Sequence, residues 1–503
     1  MLGIGLMDIV YGVISSFMFP GFVTLVSFLV AFKFSVNLLL KFLYLRRLVH
    51  ICNSDTYYTG GRSSHNLIKF VFFLKDKPGD HDLVKNIKDV VQQRVLNHPD
   101  KFAKLSSSYH SFLGYPYLLK EDVTPEDVVS VVDMEEKEYK SVQEVLYAYS
   151  DKPMPRNDTL PWQILVLKAS VEWRKDHDME PHRTPVFMRF QHFVADPLST
   201  TNFIYQSLGE NNATVDQILK ITSKKRPGVG LSPWNLLRNF YVLQLVPGYL
   251  LVGLVLRLLT NGGGPYPCKS GKHNVGYKAL DQSDRSFKYM KLVREKLGET
   301  YLTVILTAVA GSFHSYFQKL NKKMPHSINV TIGAVEEMKP MTTNGVPQLF
   351  NQFILMEVKL PIKARSGSLL KKLHTIKKDS NKLVENSNFR IKNFIFDNLL
   401  QLVPNPFKRF LFPVTDTWAS VTSMPDIQKA VLFNGYEVEE SFFFTAVKDQ
   451  MVTGFGSYNY EKRIQLSFMS DESSMQTKED CDVMVEEFFK SIEQLKDEVV
   501  KKK

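Results

Sequence analysis

The stretch RFQHFVADPLSTTNF, residues 189–203, joins an apolar run to a polar, helix-forming run and carries His192 and Asp196 four positions apart. Before His192, the segment TPVFMRFQ alternates its side chains between two faces, which predicts a strand. After it, Asp196 is a good helix N-cap and Pro197 is a good first helical residue. The stretch therefore predicts a strand, a tight connection and a helix.

Two interpretations of His192 follow from this placement. Val186, Met188 and Phe190 precede it on one face of the strand, so partial burial favours the neutral imidazole, which can act as a general base towards a hydroxyl. The alternative is an ordinary core histidine with Asp196 as a helix cap only. A chain with 12 histidines contains one H-x-x-x-D by chance, so the spacing alone leaves both interpretations open.

The bulk composition is that of a globular protein. Its 503 residues exceed one ordinary core and predict two domains or one bilobal unit. The net charge of +11 is scattered, without the basic block interleaved with aromatic residues that nucleic acid requires. Anionic lipid headgroups or the phosphates of a substrate fit this charge, as does a merely solvated basic surface. The widely spaced Cys52, Cys268 and Cys481 predict neither disulfides nor a zinc site, and favour a reducing, cytosol-facing location.

The N-terminal region predicts a membrane anchor. Residues 9–32 carry no charge and are long enough to cross a bilayer as a helix, which Pro20 would kink or split into a re-entrant hairpin. Four Lys and Arg residues lie between positions 33 and 47, so the positive-inside rule places the rest of the chain in the cytosol. Residues 35–50 are typical of an amphipathic helix that lies along the interface.

A second apolar stretch, residues 241–259, is interrupted by Pro247, Gly248 and Gly253. An interfacial or domain-bridging helix is favoured here over a second crossing, because no strong topogenic charge flanks the stretch. The glycine-rich loop at 261–272 follows and is the predicted link between the two halves.

Helical and strand-like segments are mixed on both sides of that loop, so the predicted fold class is α/β (α+β). We predict a membrane anchor with its amphipathic helix over residues 1–50, an N-terminal lobe that carries HxxxD over 51–260, and a C-terminal lobe over 261–503. Helices are predicted at 83–97, 138–150, 284–298, 300–320, 367–384 and 479–499. Strands are predicted at 66–74, 162–171, 184–193, 327–335 and 350–362, with short strands and turns at 429–435, 441–458 and 463–469.

The sequence resembles the wax ester synthase / diacylglycerol acyltransferase family, whose hallmark is H-H-x-x-x-D-G and whose counterpart here is QHFVADP, residues 191–197. Further segments resemble those of the family in the same order, so that the resemblance extends over most of the chain. These segments are RNDTLPWQILVLK (156–168), ETYLTVILTAVAGSFHSYF (299–317), LFNQFILMEVKLPI (349–362) and ASVTSMPDIQKAVLFNG (419–435).

The resemblance implies a two-lobed, chloramphenicol-acetyltransferase-like fold of the CoA-dependent acyltransferase type, with its active site in a channel between the lobes. It also implies acyl transfer from acyl-CoA to a lipid alcohol, either a long-chain alcohol or diacylglycerol, to give a wax ester or triacylglycerol. Acyl-CoA is then a substrate, and neither a cofactor nor a metal is predicted. The expected location is the endoplasmic reticulum membrane with the catalytic lobes facing the cytosol.

The resemblance also implies roles for single residues. His192 matches the general base of the family motif, and Asp196 matches the aspartate that holds the motif loop. A donor that stabilises the oxyanion is required by the chemistry, and Asn351, Thr422 and Ser423 are the candidates by family position. The basic segment 371–378 is a candidate to attract the CoA phosphates, with a solvated helix face as the alternative.

Several positions depart from the family pattern. Gln191 replaces the first histidine and by alternation points away from His192, so it is expected to support the loop or contact substrate. Pro197 replaces the glycine, Leu302 and Thr303 replace an Asn-Asp pair, and the S-N-V-P-G-P segment is altered at Ser423 and at 426–427. These departures leave open a catalytically degenerate member that binds acyl lipids in the channel. They also leave open an amine or a sterol as the acceptor.

Overall fold

The computed structural model describes residues 6–51, 54–59, 66–76, 82–150, 152–168, 183–210, 233–259, 273–279, 286–319, 323–335, 338–363, 368–383, 386–411, 417–446 and 453–501. The predicted linker at 261–272 lies outside these ranges, as do Cys52 and Cys268.

The helices and strands of the described residues are mixed along the chain. The helices are α1 (Leu6–Tyr44), α2 (Leu83–Val91), α3 (Pro125–Val128), α4 (Val142–Ser150), α5 (Pro155–Asp158), α6 (Pro197–Phe203), α7 (Pro233–Leu259), α8 (Ser286–Leu297), α9 (Tyr301–Lys319), α10 (Leu369–Leu383), α11 (Ser387–Phe394), α12 (Asn405–Leu411) and α13 (Lys478–Lys501). The strands are β1 (Leu48–Val49), β2 (Leu67–Lys75), β3 (Ser107–Phe112), β4 (Tyr115–Lys120), β5 (Val129–Asp133), β6 (Trp162–Lys168), β7 (Arg183–Gln191), β8 (His273–Ala279), β9 (Ser327–Ala334), β10 (Thr342–Thr343), β11 (Val346–Pro347), β12 (Ile354–Pro361), β13 (Thr417–Ser423), β14 (Val431–Leu432), β15 (Tyr436–Phe444), β16 (Thr453–Tyr460) and β17 (Arg463–Asp471).

Two six-stranded sheets form the body of the molecule. The first has the order β14-β15-β2-β7-β6-β5, and only β5 and β6 within it pair in parallel. The second has the order β12-β9-β13-β16-β17-β8, in which β13 is parallel to both of its neighbours. Each sheet therefore carries strands from a different half of the sequence, with one exception.

The exception is the pair β14 and β15, which follows the second-sheet strand β13 in sequence but completes the first sheet. Residues Val438 to Phe444 of β15 pair antiparallel with β2. The chain then returns to the second sheet as β16. The predicted domain boundary at residues 260 and 261 lies outside the described residues. The two halves of the sequence are joined by β14 and β15, which come from the C-terminal half but belong to the first sheet.

The strand that leads to the central motif is buried on both faces. Val186, Met188 and Phe190 pack into the main hydrophobic core, whereas Phe187 packs into a smaller core on the other face together with α4. Arg189 also points to that second face, where its guanidinium donates to the backbone carbonyls of residues 149 and 152 at 2.7 and 2.8 Å. The predicted alternation is present, and the second face is covered by protein instead of water.

The two apolar segments form the long helices α1 and α7, which pack against each other. Helix α1 runs without a break through Pro20, and the separate amphipathic helix predicted at 35–50 is mostly its continuation, because no turn-forming residue intervenes. Helix α7 begins at Pro233, earlier than the predicted start at 241. Both helices are long and apolar enough to cross a membrane.

Candidate active site

His192 follows the last residue of β7 and faces a cavity between the two sheets. Its backbone N–H donates to the carbonyl of Asn66 at 2.8 Å, and the chain turns where the N–H of Val194 donates to the carbonyl of Gln191 at 2.9 Å. The residue is 9% exposed, and it lines the cavity. The ring is therefore mostly desolvated but still accessible to a small molecule.

The tautomer of His192 is set by Asn351. The Asn351 Nδ2 donates to two acceptors, Asp55 Oδ1 at 2.8 Å and the His192 carbonyl at 2.9 Å, which fixes the orientation of the amide. Its Oδ1 then lies 2.9 Å from His192 Nδ1 and can only accept. Nδ1 must carry the hydrogen, so the lone pair of the neutral ring is on Nε2.

A buried ion pair holds Asn351 in place. Asp55 is fully buried in a 3₁₀ turn, and its Oδ2 accepts from Lys104 Nζ at 2.5 Å while its Oδ1 accepts from both nitrogens of Asn351. Lys104 uses its two other donors on the carbonyls of Val194 and Leu349, at 2.8 and 2.7 Å. Loss of either partner would leave an uncompensated buried charge and would strongly destabilise the folded protein. These contacts therefore stabilise one geometry of the loop around His192.

Tyr58 covers one face of the imidazole. The two rings are stacked with their centroids 3.7 Å apart and an angle of 1° between their planes. Stacking and the Asn351 hydrogen bond restrain the ring in two directions, because one fixes the plane and the other fixes the rotation within that plane. His192 is therefore preorganised, which a general base requires.

Asp196 is buried and serves as a structural clamp. Its Oδ1 accepts from the Ser199 N–H at 2.7 Å as the N-cap of α6, and its Oδ2 accepts from the Gln352 N–H at 3.1 Å. Burial raises the pKa of Asp196 to about 6, although the two N–H donors oppose this rise. The clamp ties the loop after β7 to the segment before β12, and Pro197 occupies the N1 position of α6 without strain.

The cavity has a volume of about 430 Å³, which is within the range of small-molecule sites. It lies between the loop after β7 and the strands β9, β12 and β13, and it reaches the surface at the exposed Arg294 and Thr300. The lining residues are Tyr58, Asn66, His192, Asp196, Pro197, Leu198, Arg294, Thr300, Tyr301, Leu302, Ile332, Gly333, Phe353, Leu355, Ala446, Thr445 and residues 420–426. Most of its wall is apolar, and the hydroxyl groups cluster at the end of β13.

The residues predicted from sequence fall into two groups. His192, Asp196, Thr422 and Ser423 line the cavity, and Thr422 Oγ1 lies 3.1 Å from Thr445 Oγ1. Gln191 and Asn351 do not appear among the cavity-lining residues of the described chain; Asn351 lies behind the imidazole and contacts the catalytic candidate itself. Gln191 is buried, and its backbone N–H donates to the Pro161 carbonyl at 2.8 Å.

Two further sequence observations have a structural counterpart. Leu302, which replaces a polar residue of the family pattern, contributes an apolar side chain to the cavity wall, while Thr303 is buried behind it. The basic segment 371–378 lies on α10 and contributes no side chain to the described cavity lining. One of its lysines, Lys377, binds Glu299 at 2.6 Å instead.

A basic surface depression adjoins the cavity and shares Asp426 with it. Its cationic residues are Lys288, Lys291, Lys429, Lys462 and Arg463. Of these, Lys429 pairs with Glu437 at 2.8 Å, Lys291 pairs with Glu295 at 3.8 Å, and Arg463 Nη1 lies 3.7 Å from Glu440. The depression is therefore a positively charged surface beside the mouth of an apolar cavity.

Asp55, Lys104 and Tyr58 are functional residues that carry no signal in the sequence. Asp55 and Tyr58 lie in a polar segment that reads as a turn, and Lys104 is one of many lysines. Their importance comes from three distant chain segments that meet at Asn351. The only sequence signal was the resemblance of the segment around Asn351 and Gln352 to a family strand.

The comparisons with known proteins concern the fold. No protein-family model matches the sequence, and no curated protein matches it. Among solved structures, the chain is similar to the wax ester synthase/diacylglycerol acyltransferase from Marinobacter aquaeolei VT8, with a TM-score of 0.55 and 12% identity over 89% of this chain and 98% of that one. It is also similar to the first condensation domain of the calcium-dependent antibiotic synthetase, with a TM-score of 0.54 and 13% identity over 89% and 96% of the two chains.

A third similar structure is the trichothecene 15-O-acetyltransferase from Fusarium sporotrichioides, with a TM-score of 0.54 and 11% identity over 89% of this chain and 94% of that one. The chain has the two-lobed α/β fold that these acyltransferases and condensation domains share, and the predicted fold is confirmed. At identities of 10–14%, the similarity to these structures supports the fold only. The reaction has to be inferred from the residues of the site.

Proposed function

We propose that the protein is an acyl-CoA:alcohol O-acyltransferase that acts on a lipid alcohol. The observation that carries this proposal is the imidazole of His192, held as one tautomer by Asn351 and facing an apolar cavity between the lobes. An ordinary core histidine needs neither the cavity nor a dedicated partner for its tautomer. The geometry therefore favours the general base over the simpler interpretation.

In the proposed reaction, Nε2 of His192 takes the proton of the acceptor hydroxyl as the oxygen attacks the thioester carbonyl. The carbon–sulfur bond then breaks, and the imidazolium returns the proton to the departing CoA sulfur. The products are an ester and free CoA, and no covalent enzyme intermediate is needed. A positioned base of this kind contributes about 10²–10⁴-fold to the rate.

The developing oxyanion requires a hydrogen-bond donor close to the carbonyl oxygen of the thioester. We assign this role to the hydroxyl groups of Thr422 or Ser423, because both line the cavity at the end of β13. Asp196 takes no part in the chemistry in this scheme. It holds the loop that carries His192.

The two substrates are proposed to use different parts of the site. The phosphates of acyl-CoA match the basic depression beside the cavity mouth, to which Lys288 and Lys462 contribute. The acyl chain and a lipid alcohol match the apolar wall, to which Leu302 and Phe353 contribute. The acceptor is expected to be a long-chain alcohol or diacylglycerol, and the product a wax ester or triacylglycerol, at the cytosolic face of the endoplasmic reticulum.

The second candidate function is a catalytically degenerate protein that binds acyl lipids in the same cavity. The observation that favours it is Leu302, an apolar side chain in the cavity where the family pattern has a polar one. The arrangement of His192, Asn351 and Asp55 opposes it, since lipid binding alone does not need a fixed imidazole tautomer.

The experiment that separates these functions uses membranes containing the full-length protein, labelled acyl-CoA, and a panel of fatty alcohols, diacylglycerol and a sterol. We expect ester formation with at least one acceptor, and a loss of about 10²–10⁴-fold in His192→Ala. His314→Ala is the matched control, because His314 is half-buried on α9 and bonds the Ile362 carbonyl away from the cavity. Equal activity of His192→Ala and wild type would exclude the mechanism, and lipid binding without turnover would support the second candidate.

A further inference from the structure

Helix α1 is held on the body of the protein at both of its ends. Near its N-terminus, Asp8 Oδ2 accepts from Ser387 Oγ at 2.8 Å. Near its C-terminus, Lys33 Nζ donates to Gln401 Oε1 at 2.7 Å, and Leu40 is buried against the β3–β4 sheet. These contacts hold both ends of one long helix against the body of the protein.

The dimensions of α1 make this arrangement incompatible with a simple crossing. From Asp8 to Leu40 a helix rises about 48 Å at about 1.5 Å per residue, whereas the hydrocarbon core of a bilayer is about 30 Å thick. A helix that crossed the core would carry Asp8 to the opposite side from Leu40, and one of the two docking contacts would break. In this structure α1 lies along the body, in contrast to the crossing that its hydropathy predicts.

Helix α7 is fastened beside α1 by a close backbone contact. The Gly248 N–H donates to Ser15 Oγ at 2.8 Å. The rings of Tyr11 and Tyr249 pack edge to face, with their centroids 5.8 Å apart. A Cβ at Gly248 would lie 2.2 Å from the Tyr11 carbonyl oxygen, so glycine is needed for this approach. The inner face of α7 packs on Ile391 and its neighbours, which ties the helix pair to the body.

The outer faces of the two helices expose large apolar side chains, and we call these two faces together the α1–α7 face. Its largest side chains include Phe17, Phe28 and Phe42 of α1 and Leu236, Leu237 and Leu259 of α7. Only 6% of the most apolar 18-residue segment of α1 is buried within the protein. Helix α1 is therefore not a core helix of a soluble domain. Exposed apolar surface on this scale marks a site of interaction with a membrane or a partner.

The charge at the edge of the α1–α7 face favours a membrane over a protein partner as the surface that it contacts. A cavity of about 440 Å³ opens between α7 and α11, and its charged lining residues are Arg238, Lys339, Arg390 and Asp397. Lys339 Nζ lies 3.7 Å from the Asp397 carboxylate, so the cavity keeps a net positive charge. Arg238 follows directly after the exposed Leu236 and Leu237. An apolar face with a cationic edge is complementary to the acyl chains and anionic headgroups of one lipid leaflet.

We propose that α1 and α7 insert together into a single leaflet and lie parallel to the membrane plane, with both ends of α1 on the side of the body. The cationic cavity lies at headgroup depth in this arrangement and faces phospholipid phosphates. The inference concerns the position of the protein on the membrane and does not rest on the proposed reaction.

The first test is the topology of the full-length protein in sealed microsomes. An epitope is placed before Met1 and another after Lys503, and protease is added outside the vesicles. We expect both epitopes to be digested, with no glycosylation of an acceptor site fused at the N-terminus. An N-terminal epitope that is protected or glycosylated while the C-terminal one is digested would overturn the proposal in favour of a crossing helix.

The second test is flotation of purified protein with vesicles of phosphatidylcholine alone and of equal parts phosphatidylcholine and phosphatidylserine. We expect Phe17→Asp combined with Phe28→Asp to lose flotation with both vesicles at least tenfold, because both charges would enter the acyl region. Arg238→Glu combined with Arg390→Glu should reduce only the preference for phosphatidylserine.

Val131→Asp is the matched control for these substitutions, since Val131 is an exposed apolar residue on the edge strand β5. It should float as the wild type does, and near-ultraviolet circular dichroism should show that every variant is folded. Unchanged flotation of the double Phe variant would overturn the proposal. So would flotation lost only through a change of oligomeric state in sedimentation, because the α1–α7 face would then be covered by protein.

Discussion

At the scale of the residue, the chemistry depends on which nitrogen of His192 carries the hydrogen. Asn351 decides this because its own amide is oriented by the Asp55 carboxylate, which is in turn held by Lys104. The relay contains a neutral amide between the carboxylate and the imidazole. It can therefore fix the tautomer, whereas the negative charge of Asp55 stays balanced by the lysine.

Asn351→Ala should lower kcat by about tenfold and leave KM for acyl-CoA nearly unchanged. The variant removes one hydrogen bond of about 0.5–1.5 kcal/mol from the imidazole, and about 1.4 kcal/mol corresponds to a factor of ten in rate. Without the amide oxygen, both neutral tautomers of His192 are accessible, and only one presents its lone pair to the cavity. The check is a comparison of kcat and KM across pH in wild type and variant.

Asn202→Ala is the matched control for that variant. Asn202 is equally buried, and its Nδ2 donates to the Met341 carbonyl at 3.0 Å. It should lose stability to a similar extent while kcat and its pH profile stay as in the wild type. An Asn351→Ala enzyme with an unaltered kcat would show that the tautomer is set in another way.

The sequence allowed His192, Asp196 and Asn351 to be named, but it did not reveal how they are connected. A cap and a strand-end histidine are local features, so the five consecutive positions from His192 to Asp196 are enough to suggest them. The relay through Asp55 and Lys104 is not local, because the three segments that supply it meet only in the folded chain. No spacing rule relates Asp55 to a residue 296 positions away.

At the scale of the element, Asp196 joins helix α6 to the segment that enters β12. One carboxylate oxygen caps the helix and the other accepts from the Gln352 N–H. Burial opposes the charge that these two donors favour, and it raises the pKa of Asp196 to about 6. The clamp therefore titrates in a range where most aspartates are already ionised.

The free energy of unfolding of the wild type, relative to Asp196→Asn, should fall as pH rises from about 4 to about 6. The folded-state pKa is above the unfolded value of about 3.9, so the folded protein binds this proton more tightly and loses that advantage as the pH rises. The change amounts to about 3 kcal/mol, from about two pKa units at about 1.36 kcal/mol each. Urea unfolding of both proteins at several pH values measures it.

The comparison of the two proteins at each pH removes the contribution of all other titrating groups. A difference that stays constant between pH 4 and 7 would show that the pKa of Asp196 is the same in the folded and unfolded protein, because the two N–H donors balance the burial. A difference that grows with pH would mean that these donors outweigh the burial and lower the pKa.

Elements with strong local patterns were predictable, and those defined by tertiary contacts were not. The end of α8 before Gly298 was predicted, because glycine is the usual residue just after a helix. In the structure Gly298 adopts a φ of 62°, which other residues avoid. The length of α1 was not, since Tyr11, Val36 and Leu40 are held by packing on the body and not by a turn signal. The hydropathy of residues 9–32 shows that the segment is apolar, but it does not show whether the helix crosses a membrane or lies parallel to it.

At the scale of the whole molecule, the two lobes are joined by the strand β15. This strand comes from the C-terminal half of the sequence and completes the first sheet beside β2. Its Phe443 carbonyl accepts a hydrogen bond from the Ser467 hydroxyl of β17 in the second sheet. A Cβ at Gly456 would lie 2.2 Å from the same carbonyl oxygen, so β16 can approach only because it has glycine there. One main core includes residues of both sheets.

Phe443→Ala should therefore destabilise both sheets equally, although Phe443 belongs to the first. Its ring packs on Phe70 with the centroids 5.4 Å apart, and truncation of a buried phenylalanine costs about 3–5 kcal/mol. Because the lobes share a core, this loss should appear as the same reduction in hydrogen-exchange protection in peptides from β6 and from β13. Native-state hydrogen exchange at low urea measures both in one sample. Reduced protection confined to β6 would mean that the lobes open independently, and a hinge at the cavity would then have to be part of substrate entry.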